Sequence, residues 1–124
     1  MKFSRLAILA AETVEAVQRT LPPDIRPLAL ALPVSYEAKP GPAILDDGGE
    51  PDLLGLFVGP AQAEAQSPDF ADVPPQILLF IENLWAYAGQ EMEIFREEVR
   101  LTYLHELGHY LGWDEDDLAR RGLD

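Results

Sequence analysis

Residues Leu104 to Gly112 read Leu-His-Glu-Leu-Gly-His-Tyr-Leu-Gly, and they hold both histidines of a 124-residue chain. His105 and His109 stand four apart with Glu106 directly after the first, the pattern H-E-x-x-H. Two histidines scattered at random fall four apart in roughly one or two arrangements in a hundred, and requiring the glutamate lowers this to about two in a thousand. On a helix, residues four apart differ by about 40° in direction and one turn in height, so the imidazoles project side by side. Such a pair binds one tetrahedral cation, and zinc is the usual occupant. Glu106 lies about 100° round the helix from His105, near enough to reach a metal-held water without taking a coordination place. Zinc lowers the pKa of that water to around 7, so a carboxylate can take its proton at neutral pH. For a lone histidine a solvated helix face is the better reading; for this pattern, with Gly112 at the expected helix end, the metal site is favoured.

Outward from the motif, the pattern is helical from about Gln90 to Leu111, with Gly112 as the stop. Leu101, Leu104, Leu107, Gly108 and Leu111 gather on one side, expected to pack on a sheet, and the histidines lie at its rim. Glu98 and Thr102 share the histidine face, as acceptors for imidazole N–H groups or as solvated helix residues. Upstream, Gln76 to Ile81 reads as a strand covered on both faces, Leu53 to Val58 as a second strand, and Leu28 to Tyr36 as a third with Pro33 at an edge or end. Lys39 to Asp52 and Ala61 to Pro75 read as loops. An amphipathic helix is expected from Ser4, as N-cap, to Leu21-Pro22-Pro23, and a short helix from Asp114 to about Arg121. The order α-β-β-β-α-α predicts an α+β fold over residues 1–124 as one domain, with helices against a small sheet of three to four strands.

Composition narrows the function. A net charge of −13 argues against nucleic acid and anionic membranes, whose phosphates such a surface repels. Without cysteine there is neither a disulfide framework nor a thiolate metal site. The apolar run Leu6 to Ala11 is too short for an export signal, and no run reaches the ~18 residues of a membrane span. A soluble, cytoplasmic protein is expected, with its oligomeric state open.

Three stretches together resemble the small bacterial zincin-like metallopeptidases, formerly classed as a domain of unknown function: Asp52 to Pro60, Pro74 to Phe80, and above all Thr102 to Leu118. The resemblance implies a minimal zincin with a backing helix, a small mixed sheet and an active-site helix. In zincins an edge strand beside the active-site helix pairs with extended peptide, and Leu53 to Val58 looks like that strand. Gly55 and Leu56 are then expected substrate contacts, unless the segment is an ordinary strand. The chain departs from metzincins, since position 115 is glutamate rather than histidine and both methionines, Met1 and Met92, precede the motif.

The leading expectation is a zinc-dependent peptide-bond hydrolase acting on peptides or unstructured protein, with Glu106 as general base. Tyr110, Tyr103 or an arginine is a candidate donor to the oxyanion, and Tyr110 a candidate substrate contact. The alternative is a non-catalytic metal- or peptide-binding module of zincin shape. Two histidines and a water leave zinc one ligand short, and without further histidine or cysteine that ligand is a carboxylate unless a second water fills the place. Glu115 takes the place of the metzincins' third histidine, while Asp114 and Asp116 stay open as alternatives. Helix capping alone also accounts for the cluster Asp114 to Asp117.

Overall fold

The computed structural model describes residues 1–64 and 74–124. Among them the elements are α1 (Phe3–Thr20), α2 (Arg26–Ala31), β1 (Val34–Glu37), α3 (Pro42–Asp46), β2 (Gly55–Val58), β3 (Gln76–Phe80), α4 (Ile81–Tyr87), α5 (Met92–Leu111) and α6 (Glu115–Arg120). The central strand is β3. Beside it β1 runs parallel, with Val34 opposite Ile77, and β2 antiparallel, with Leu56 opposite Leu78. This is the mixed, three-stranded α+β arrangement expected. On one face of the sheet α5 crosses β2 and β3, and α1 packs on α5 and α4.

The helix α1 buries Leu6, Leu9, Ala10, Val14 and Val17. It starts earlier than Ser4: the N–H groups of Arg5 and Leu6 both bond to the carbonyl of Lys2 at 3.1 Å, and no side chain caps the end. It stops at Thr20 because Pro22 and Pro23 cannot continue it. The expected strand from Leu28 to Tyr36 is half helix. Pro27 sits in the first turn of α2, where its missing N–H costs nothing, and Leu28 to Ala31 are strong helix formers without a β-branch. Only Val34 onward pairs with β3, while the Pro33 carbonyl accepts the Ile77 N–H at 2.9 Å. Lys39 to Asp52 also contains the short α3, which opens at Gly41-Pro42.

The apolar run at β3 does not mark a strand covered on both faces. Ile77 and Leu79 are fully buried, but Gln76 and Leu78, on the other face, are half-buried. The run stays apolar because strand passes directly into α4, with Phe80 and Ile81 both buried at the junction. No break residue announces that helix. The expected loop from Ala61 to Pro75 lies outside the described residues between 65 and 73. The long helix α5 begins at Met92 rather than Gln90, since Gly89 and Gln90 both take positive φ. In the core, Tyr103 of α5 is fully buried and its hydroxyl accepts from Gln18 Nε2 of α1 at 3.2 Å. Burial raises the Tyr103 hydroxyl above its ordinary pKa and pushes that of Tyr36 up to about 12, helped by Tyr103 and Glu15. Among the described residues, no helix is long and apolar enough to cross a membrane.

Candidate metal centre

The centre is built by the last two turns of α5 and the chain reversal that follows. Gly112 takes the left-handed conformation, φ 75°. Its N–H bonds to the His109 carbonyl at 3.2 Å, and the Trp113 N–H to the Gly108 carbonyl at 2.8 Å, the double closure of a Schellman motif. A side chain at Gly112 would strain that turn. The reversal returns α6 against the face that carries the histidines. At its start Asp114 accepts from the Asp117 N–H at 2.9 Å, and Asp117 accepts from the Asp114 N–H at 3.0 Å. That backbone bond and Arg120 hold the Asp117 carboxyl below its ordinary pKa. Asp114 is therefore a cap, as the competing reading of the acidic cluster had it. Glu115 differs: its Oε1 contacts His105 Nδ1. Among the described residues no hydrogen bond or ion pair joins Asp114 or Asp116 to either histidine.

The imidazole centroids of His105 and His109 lie 4.6 Å apart. Glu106 sits between them and beneath: its side chain is 8% exposed, those of the histidines 46% and 51%. Glu106 Oε1 lies 3.1 Å from His109 Nδ1, and Oε2 lies 4.0 Å from His105 Nε2. Nitrogen and oxygen donors of the three residues converge within 4.8 Å. Carboxylate oxygens lie at Nδ1 of both rings, Glu115 Oε1 at His105 and Glu106 Oε1 at 3.1 Å from His109. Two neutral imidazoles and a nearby carboxylate suit zinc, and half-exposed rings leave the approach that a catalytic site needs. The residues present fit the metal. Glu115 meets His105 at Nδ1 and lies outside the three-donor cluster.

The strand β2 closes the other side. Gly55 faces α5 so closely that a Cβ there would lie 2.6 Å from Thr102 Cγ2. The Phe57 N–H donates to Glu106 Oε1 at 3.0 Å. The Phe57 ring packs on Tyr110, centroids 5.7 Å apart, and the Tyr110 carbonyl accepts from the Gln62 N–H at 2.6 Å. Thr102, Glu106 and Tyr110 thus form a stripe at four-residue spacing that meets alternate residues of β2. Sequence reading missed the part played by Phe57, although the alternation Gly55-x-Phe57 was available to find it.

The remaining expected residues fall differently. Thr102 is buried under Gly55 and Glu98 is half-buried, and the Nδ1 atoms of His105 and His109 meet Glu115 and Glu106 instead. Tyr103 is sealed in the core and cannot reach an oxyanion. Tyr110 packs on Phe57. Leu56 pairs with Leu78, so its backbone groups point into the sheet and its side chain alternates away from the α5 face. Gly55 does line the site. It borders a hollow of about 460 Å³ with Leu101, Leu104, His105, Leu118 and Leu123. A second hollow of about 460 Å³ lies on the far side of His105 and Glu115, against His109 and Trp113.

No curated protein matches the chain. Residues 30–123, which take in every element from β1 to α6, match the model of the zincin-like metallopeptidases, and the chain belongs to that family.

Proposed function

We propose that the protein is a zinc-dependent peptide-bond hydrolase, with His105, His109 and Glu115 holding the metal and Glu106 as general base. The observation that carries this reading is a buried carboxylate set between two half-exposed imidazoles and beside a sheet edge. A purely structural metal site has no use for such a carboxylate and closes over its ligands. Zinc, when bound, polarises the scissile carbonyl and acidifies a water. Glu106 takes the proton of that water and passes it to the leaving amine, acting from a side chain that burial and the Phe57 N–H keep in place. Glu115, in contact with His105, supplies the carboxylate of the metal-holding set.

Peptide or unstructured protein is the substrate class that fits. Among the described residues no strand pairs with the outer edge of β2, so Gly55 offers backbone groups to an extended chain. A hollow on each side of His105 accepts side chains flanking the scissile bond, and the leucines of the first favour apolar ones. The test is cleavage of an unstructured protein by the zinc-loaded chain and by Glu106→Gln. Turnover should fall by several orders of magnitude in the variant while zinc content is unchanged. If wild type and variant cleave equally, Glu106 is not the base. If neither cleaves while zinc and peptide still bind, the protein is a binding module instead.

A further inference from the structure

We propose that the backbone N–H of Phe57 is a positioning group for Glu106: it anchors Oε1 and leaves Oε2 as the oxygen that takes the proton. The inference rests on the reading of Glu106 as base.

In the antiparallel pair, the Phe80 N–H bonds to the Leu54 carbonyl at 2.9 Å. By alternation Leu56 and Val58 also turn their backbone groups toward β3, and Gly55 and Phe57 turn theirs outward. The Phe57 N–H is therefore not part of the ladder. It sits on a sheet edge, where a donor ordinarily meets water or another chain. Here it meets a carboxylate on α5 at 3.0 Å.

The two oxygens of that carboxylate are unequally engaged. Oε1 has both the Phe57 N–H and His109 Nδ1 at 3.1 Å. Oε2 lies 4.0 Å from His105 Nε2, beyond hydrogen-bond reach. A glutamate has several rotatable bonds, and a base must hold its reactive oxygen still to work efficiently. Fixing one oxygen to main chain aims the other without engaging it. Main chain suits this task because Gly55 and the Phe57–Tyr110 contact bracket the donor and set the distance from β2 to α5. One consequence follows for substrate. With the Phe57 N–H committed, an extended peptide has the N–H and C=O of Gly55 and the C=O of Phe57 to pair with.

The test removes the N–H. An amide-to-ester replacement at residue 57 by semisynthesis does so and keeps the ring; Phe57→Pro does so genetically but loses the ring as well, and is tolerable because the lost donor is off the ladder. Phe57→Ala is the control that keeps the N–H and loses the ring. In the zinc-free protein, amide exchange is read first: the Phe57 amide should exchange slowly, and Glu106→Ala should remove that protection. In the zinc-loaded protein, the ester should lose roughly ten- to a hundredfold in kcat, with KM and zinc affinity within about twofold. Phe57→Ala, which loses the Tyr110 contact but keeps the donor, should lose less kcat than the ester. A Phe57 amide that exchanges freely in the wild type overturns the inference, and so does an ester with unchanged kcat. A protected amide in a protein that cleaves nothing overturns the choice of Oε2 as proton acceptor together with the hydrolase reading, and supports the anchoring of Oε1.

Discussion

Gly55→Ala asks whether β2 must lie as close to α5 as it does. The added Cβ would stand 2.6 Å from Thr102 Cγ2, 3.2 Å from the Leu78 carbonyl oxygen and 3.3 Å from Leu79 Cδ2. Carbon atoms rest at about 3.5–4.0 Å, so the first contact is about 1 Å too short. Thr102 is buried and β-branched, so its methyl cannot swing clear. Overpacking of this kind costs about 1–3 kcal/mol, and the stiffer unfolded chain of an alanine variant offsets about 0.4–1 kcal/mol. The net loss is about 0.5–2 kcal/mol. For a chain of this length 1 kcal/mol moves the thermal midpoint by about 4 °C, so a fall of about 2–8 °C is expected. Thr102→Ser deletes the offending methyl and keeps the hydroxyl, at a cost of about 0.5–1.5 kcal/mol by itself. The two changes should not add: the double variant should sit about 1 kcal/mol above the sum of the singles. Thermal and urea unfolding of the four zinc-free proteins measures this, since bound metal would mask the differences. Strict additivity, or a Gly55→Ala protein as stable as wild type, would refute the close approach.

Three further outcomes are expected. Glu115→Ala should weaken zinc by well over tenfold, more than ~1.4 kcal/mol, as a titration reads, whereas Asp114→Ala should lower stability by about 1 kcal/mol and spare zinc affinity. At low salt, cationic peptides should be cleaved faster than acidic ones by a chain of net charge −13, and the difference should shrink as salt is added; a preference for acidic peptides would contradict this. The Tyr36 hydroxyl is raised to about 12 from an unfolded value near 10, so its contribution is complete below about pH 10 and is lost as pH rises toward 12. Urea unfolding at about pH 9 and 11 should show that loss in wild type and less of it in Tyr36→Phe.

Side-chain patterns were the legible part of this protein. The histidine pair, Glu106, the glycine stop and the acidic start of α6 are all local arrangements of side chains along one helix and its cap, and the fold honours them. What misled was apolar sequence without punctuation. Leu28 to Ala31 has the same hydropathy in helix or strand, and Pro27 favours the helix only once the chain must turn off α1. The passage from β3 into α4 has no glycine, proline or side-chain cap. It is fixed by tertiary bonds, the Glu82 N–H to the Ala38 carbonyl at 3.1 Å and Asn83 Nδ2 to the carbonyls of Pro51 and Leu53. No local window contains those partners.

The site divides along the same line. A ligand pair leaves a trace in sequence because coordination needs particular side chains at a helical interval. The partner of Glu106 leaves almost none, because every residue but proline has a backbone N–H. Position 57 is selected by its place on the strand: odd in the alternation from Gly55, hence off the ladder, and level with Glu106 along α5. Side chains enter only through the spacing they set. Thr102 meets Gly55 one turn before Glu106, and Tyr110 meets Phe57 one turn after. A bulkier residue at 55 would lift the strand, lengthen the bond from Phe57 to Glu106, and release the carboxylate without altering either histidine. Packing between β2 and α5 and the aim of the proposed base are therefore one property, and Gly55→Ala should disturb both together.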